Sequence, residues 1–217
     1  MKKVKYLVLI AMLAAMAYMV VSVFRIPVVM FLKYEPKDVI ITIGGFILGP
    51  LASFIISAVV SLIEMVTISE TGPIGALMNL LSTCAFSCTA AFIYKKRRSI
   101  GGAIVGLCVG SAVMVAVMLL WNWLITPLYM GVSREAVESM LIPMFLPFNL
   151  LKGGLNTALI LAIYKPIVTV LRKAQLVSEP ESTNTPKKSG SKWGVYLLAA
   201  GLLATCIFLM LVFMGKI

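Results

Sequence analysis

Long apolar runs separated by short polar links set the pattern of this chain. The first run extends from Tyr6 to Phe24, behind the basic start Met1-Lys-Lys-Val-Lys. Further runs lie near 51–68, 74–94, 100–124, 141–171 and 193–214. Each approaches or exceeds the roughly 20 residues that carry an α-helix across hydrocarbon. One run, 38–48, is short. It begins at Asp38, placed to cap a helix N-terminus, and stops at Gly49-Pro50. The pattern predicts an all-α, polytopic helical membrane protein. Its parts are six helices over 1–173, a flexible cytoplasmic linker over 174–192 and an extra transmembrane helix over 193–214. The linker is rich in Ser, Pro, Thr and Lys, a composition too polar to form a core. A β-barrel would instead show short alternating segments. The first run continues past Ala15-Met-Ala17, which favours a retained helix over a cleaved leader.

Three links carry more than polarity. The link 25–37 mixes apolar side chains, an aromatic ring, two prolines and alternating charges. The link from Thr126 to Met140 reads as a loop, with Pro127, Arg134, Glu135 and Glu138. The link 95–98 is an uninterrupted basic block. In the run after it, Gly102, Gly106 and Gly110 form two overlapping G-x-x-x-G steps, the spacing of close helix packing in membranes.

Charge then fixes an orientation. With the N-terminus in the cytoplasm, Lys2, Lys3, Lys5, the block 95–98, Lys165, Arg172, Lys173 and the linker lysines all lie inside. Only Arg25, Lys33, Lys37, Arg134 and Lys216 lie outside, as the positive-inside bias requires. The C-terminus is then external if the last run spans. The net charge of +11 is thereby explained by links between helices, which argues against a nucleic-acid partner. The chain has 61% hydrophobic residues and a mean hydropathy of +1.04. It has no histidine, one aspartate and no Walker A loop. The usual bases, metal sites and ATP sites are missing, so no catalytic residue, no metal site and no enzyme activity are expected. The cysteines, Cys84, Cys88, Cys108 and Cys206, all fall in apolar runs and read as packing residues.

The most informative polar residues are Asn149, Lys152 and Asn156, in the sixth run. At 3.6 residues per turn they share one face. A lysine inside a membrane helix is costly and marks a cavity, a partner or a substrate. Glu64, near the far end of the third run, is expected to pair with Lys152 or Arg25 or to sit among headgroups.

The chain resembles the substrate-binding S component of an energy-coupling factor (ECF) vitamin transporter, of the riboflavin-specific type. The resemblance rests on Phe31-Leu-Lys-Tyr-Glu-Pro-Lys-Asp38, on the stretch Glu64 to Asn79, on Asn122-Trp-Leu-Ile-Thr-Pro127 and on Phe148-Asn-Leu-Leu-Lys-Gly153. It spans residues 1 to about 172.

The resemblance implies six core helices and riboflavin bound near the outer surface, beneath the first link. It implies a prokaryotic cell membrane and no cofactor beyond the transported vitamin. Import would depend on a transmembrane coupling protein and two cytosolic ATPases. Asn122, Asn149 and Lys152 occupy the matching substrate-binding positions, and Asn79, Leu32 and Tyr34 join them as candidates. Amide and ammonium groups suit ribityl hydroxyls and ring carbonyls. Phe31, Tyr34, Trp121 and Trp123 are candidates to cover the ring face, although the tryptophans fit an interfacial aromatic belt equally well. FMN is a further candidate ligand, because Lys33 and Lys37 lie in the external link. Ala11 and Ala15 form a small-x-x-x-small step that, by resemblance, docks the coupling protein, and Ala14 is a candidate for the same surface. Another vitamin or a modified base, or a structural assembly role without a small ligand, are the competing readings. The seventh run departs from the six-helix pattern.

Overall fold

The computed structural model describes residues 3–69, 71–173 and 192–215. Eight helices and one β-hairpin follow in order: α1 (Lys3–Val23), β1 (Ile26–Val29), β2 (Leu32–Tyr34), α2 (Lys37–Leu48), α3 (Pro50–Thr67), α4 (Gly72–Lys96), α5 (Ile100–Met130), α6 (Arg134–Met140), α7 (Leu146–Lys173) and α8 (Lys192–Phe213). A π-helical turn, Leu141–Phe145, joins α6 to α7. Six helical stretches are long and apolar enough to cross a membrane: α1, α3, α4, α5, the α6–α7 path up to Tyr164, and α8. The 12-residue α2 is not one of them. It packs inside the bundle against α1, α3, α4 and α7. Its two central glycines let it sit close: a β-carbon on Gly45 would lie 2.9 Å from that of Ala91.

The G-x-x-x-G steps pack as their spacing predicts. A β-carbon on Gly106 would lie 2.8 Å from the carbonyl oxygen of Ala90, and one on Gly110 would lie 2.6 Å from that of Phe86. The absence of side chains there lets α5 approach the backbone of α4. The core around this seam holds Phe86, Ala90, Leu107 and Met114, all fully buried.

Three expectations need correction. The link 25–37 folds as an antiparallel hairpin in which Ile26 faces Tyr34 and Pro27 faces Lys33. Its turn places Met30 at φ 48°, left-handed space that L residues seldom enter. The stretch 126–140 is largely helical. α5 runs on through Pro127, ends at Gly131 in the left-handed region, and α6 starts behind the Ser133 hydroxyl, which accepts from the Ala136 amide. Capping signals outweighed the proline there. Asp38 does not cap α2, whose N-cap is Pro36 with no side-chain bond. Its carboxylate is used elsewhere.

The linker lies outside the described residues except for its last member, Lys192, which opens α8. α8 runs antiparallel to α7. Ala199 belongs to the core cluster beside Ile160 and Leu161, whereas Cys206 and Met210 belong to the one beside Phe148 and Leu151. α1 packs on α2 and α3. Ala11 and Ala15 are exposed on it, but Ala14 is 4% exposed, buried with Ile41, Ile56 and Val60. Ala14 therefore lies outside any docking surface that Ala11 and Ala15 form.

Candidate functional site: a polar cavity under the hairpin

Helical spacing places Asn149, Lys152 and Asn156 on one face of α7, and the fold turns that face inward. Their exposures are 1%, 6% and 0%. An ammonium so buried requires a counterion, and Asp38 provides it: Lys152 Nζ lies 3.1 Å from Asp38 Oδ2 and donates to Ser82 Oγ at 3.2 Å. Asp38 also accepts from Thr83 Oγ1 at 2.6 Å and from Asn156 Nδ2 at 3.3 Å. The one aspartate of the chain thus ties α2, α4 and α7 together.

A second set of charges roots the hairpin. Arg25 Nε donates to Glu35 Oε1 at 2.8 Å, and Arg25 Nη1 donates to the Ile68 carbonyl at 2.6 Å. Lys37 Nζ sits 2.6 Å from Glu35 and 2.6 Å and 2.5 Å from the two oxygens of Glu64. Glu64 also accepts from Asn79 Nδ2 at 3.3 Å. Glu64 therefore pairs with Lys37, whereas Lys152 and Arg25 hold other carboxylates. Lys37, placed outside by its position in the sequence, is 1% exposed. Burial alone would raise the Glu35 carboxyl. The Lys37 ammonium, helped by Lys152 and Arg25, more than offsets this and holds it at about 2. Burial, reinforced by the Asp38 carboxylate, pushes the Tyr34 phenol well above its ordinary range, so it stays a donor, to Asn156 Oδ1 at 3.0 Å.

Between the hairpin and helices α4, α5 and α7 lies a cavity of about 110 Å³. Asn79, Ser82, Asn149, Lys152, Arg25, Lys33 and Glu35 supply its polar lining, and Phe31, Leu32, Met78, Met118, Tyr129 and Phe148 its apolar walls. Of the candidates from the sequence, Leu32, Asn79, Asn149 and Lys152 line this space. Tyr34 and Asn122 do not. Tyr34 is 4% exposed and bonds Asn156. Asn122 is fully buried, donating to the Met118 carbonyl at 2.7 Å and accepting from Thr126 at 2.9 Å. Trp121 borders a small apolar recess that shares Phe31, Met78 and Tyr129 with the main cavity. Trp123 points elsewhere: its indole N–H donates to Glu138 at 2.8 Å and its ring lies 5.0 Å from the Arg134 guanidinium. Of the two readings of Trp123, this geometry fits the interfacial belt.

The sequence reading passed over Ser82, Met118, Tyr129 and the tie between Asp38 and Lys152. The lone aspartate was the available signal, and its place at a helix start suggested the wrong partner.

A buried polar floor and aromatic and thioether walls under a rooted hairpin make a candidate membrane-embedded site for a ligand with both polar and apolar surface. The chain belongs to the ECF transporter, substrate-specific component family, whose model matches residues 5–164. Riboflavin transporter FmnP of Bacillus subtilis is 30% identical over 188 residues, covering 80% of this chain and 99% of that protein. Riboflavin transporter RibU of Staphylococcus aureus is 29% identical, covering 80% of this chain and 95% of that protein. The solved S component of a bacterial ECF transporter superposes with a TM-score of 0.67 at 28% identity, over 79% of this chain and 99% of that one. The chain is therefore a multi-pass prokaryotic membrane protein of a transporter family.

Proposed function

We propose that this chain binds riboflavin in the cavity under the hairpin and delivers it inward as the S component of an ECF importer. The observation that carries this reading is the joint lining of one cavity by Asn79, Asn149 and Lys152 opposite Phe31, Phe148 and Met118. Riboflavin pairs a flat apolar ring system with carbonyl, imide and hydroxyl groups. Lys152 uses two of its three N–H groups on Asp38 and Ser82, which leaves the third to donate to a ring carbonyl. Asn149 spends one N–H on the Phe145 carbonyl at 2.8 Å, which leaves its amide oxygen for an imide or hydroxyl donor. Asn122 and Tyr34 support the site from behind, through α5 and Asn156. The cavity is smaller than the roughly 300–1,000 Å³ typical of small-molecule sites, so entry of the vitamin requires the hairpin to rise. Lys37, offered by the sequence as a contact for the phosphate of FMN, is committed to Glu35 and Glu64.

The purified chain should be yellow when riboflavin is supplied during expression, and it should quench added riboflavin fluorescence. A colourless preparation that leaves the fluorescence untouched overturns the assignment. In the same reading the N-terminus is cytoplasmic, the C-terminus external, and the exposed Ala11 and Ala15 of α1 meet the coupling protein that two cytosolic ATPases drive. Replacing Ala11 and Ala15 together by leucine should leave riboflavin binding within about twofold while abolishing most uptake in cells carrying the partners. Uptake at the unsubstituted level would remove α1 from the docking surface.

A further inference from the structure

We propose that α8 is a built-in strap that holds the β1–β2 hairpin down over the cavity, with Met210 and Phe213 as its bearing residues. The proposal extends the riboflavin reading, because it concerns how the occupied site is kept closed.

The family model ends at residue 164, so α8 is an addition to the shared architecture. Its placement is specific. α8 lies along α7, and the two come close at Gly154, where a β-carbon would stand 2.8 Å from Cys206 Sγ. The other side of the same α7 turn carries Lys152 and Asn149. Toward its C-terminal end α8 leaves the shelter of α7 alone and reaches β1. There Met210, 8% exposed, and Cys206 join one apolar cluster with Val28 of β1, Leu32 and Tyr34 of β2, and Phe148 and Leu151 of α7. Phe213 and Met214 pack against that cluster, as do Ile26, Val29 and Phe31 of the hairpin. The opposite face of α8 is exposed, with Leu197 at 68% and Phe208 at 54%, as suits lipid.

The hairpin is a paired two-stranded unit, so its strands move together. Phe31, Leu32 and Lys33 line the cavity from the hairpin, and Val28, 6% exposed, shares one apolar cluster with Cys206 and Met210 of α8. Lifting the hairpin therefore peels β1 away from α8. The other edge of the hairpin is rooted by ions, through Arg25, Glu35 and Lys37. The strap edge is an apolar cluster with no ion pair across it among the described residues, so it can part without stranding a charge. The two edges together define a lid with a strong hinge side and a releasable latch side.

The test uses the full chain in detergent or nanodiscs. Met210→Ala/Phe213→Ala is compared with the unsubstituted chain and with Phe208→Ala on the lipid face. The first readout is amide hydrogen exchange of residues 26–34 without ligand. Exchange should quicken roughly tenfold in the double variant, and Phe208→Ala should leave it unchanged. The second readout is the dissociation rate of bound riboflavin, followed by fluorescence recovery, which should rise about tenfold in the same variant. Unchanged hairpin exchange in the double variant overturns the strap. Equal acceleration in Phe208→Ala also overturns it, since α8 would then act only through general stability. Should the double variant fail to yield monodisperse protein, Met210→Ala alone carries the same comparison, with a several-fold effect expected. If riboflavin does not bind the unsubstituted chain, the proposed ligand is wrong, and hydrogen exchange still decides the strap.

Discussion

The two halves of the bundle solve opposite problems with the same helices. Under the hairpin, α2, α4 and α7 meet around Asp38, which holds Lys152 of α7 and Thr83 of α4, while Lys37 of α2 holds Glu64 of α3; the four charged residues are each 6% exposed or less. In the half toward 95–98, the same helices meet through rings. Phe46 of α2, Tyr94 of α4 and Tyr164 of α7 pack with centroids 4.5, 5.7 and 6.0 Å apart, and the two tyrosine hydroxyls bond at 2.7 Å. Between the halves, α4 and α5 touch backbone to backbone at Gly106 and Gly110. The difference teaches where stability and function are placed. Buried ions are costly, and an apolar replacement of similar shape is often as stable. Their concentration around the cavity is therefore better explained by a ligand than by folding. Rings and glycines give the other half a rigid frame that holds the cavity's floor in place.

That contrast can be broken experimentally, beginning with the frame. Gly110→Leu drives a side chain into the Phe86 carbonyl and should destabilise the protein by about 3 kcal/mol, near the upper end for overpacking. Thermal unfolding in detergent checks this, and the fraction that stays folded should bind riboflavin with nearly unchanged affinity. Lys152→Ala should act on the ligand as well as on stability, because it also strips Asp38 of its buried counterion. Riboflavin binding should weaken by about 1–3 kcal/mol, the range for a charge-assisted hydrogen bond, and fluorescence titration measures it. An unaltered dissociation constant removes Lys152 from the ligand contacts.

The hairpin's ionic root gives a pH signature. Glu35 is held at about 2, below its value in an unfolded chain, so the native state favours its charged form. Its contribution is complete above the unfolded value near 4 and is lost as pH falls toward 2. Hairpin amide protection factors, corrected for the pH dependence of intrinsic exchange, should fall over that window, and Glu35→Gln should flatten the dependence. The smallest effect expected is that of Tyr94→Phe. It deletes one hydroxyl pair in the frame, should cost about 1 kcal/mol of stability, and should leave ligand affinity alone. A change in affinity equal to that of Lys152→Ala would erase the division between the halves.

Much of this was legible beforehand. Runs of apolar residues located the stretches long enough to span, because that depends on length and composition, but the fifth helix runs on to Met130, the next span begins at Arg134, and 38–48 is not among the spans. Asn149 and Lys152 were visible as polar residues where polarity is expensive, and the cavity is where they converge. Asp38 misled because its position at a helix start satisfies a local rule, whereas its partners Thr83, Lys152 and Asn156 lie 45 or more residues away. Asn122 is placed differently: its side chain folds back onto the Met118 carbonyl one turn earlier in its own helix and lies outside the cavity lining.

The sequence by itself determined which segments enter the membrane, which glycines allow helices to touch and which polar side chains need a reason to be buried. These follow from one-dimensional properties: hydropathy, spacing and the cost of dehydrating a charge. Only the tertiary structure decided that Lys37 answers Glu64, that Asp38 answers Lys152, that the first link is a β-hairpin, and that α8 lies against it. Those pairings join residues distant along the chain, and a pattern read along one helix carries no information about which face of another helix will meet it.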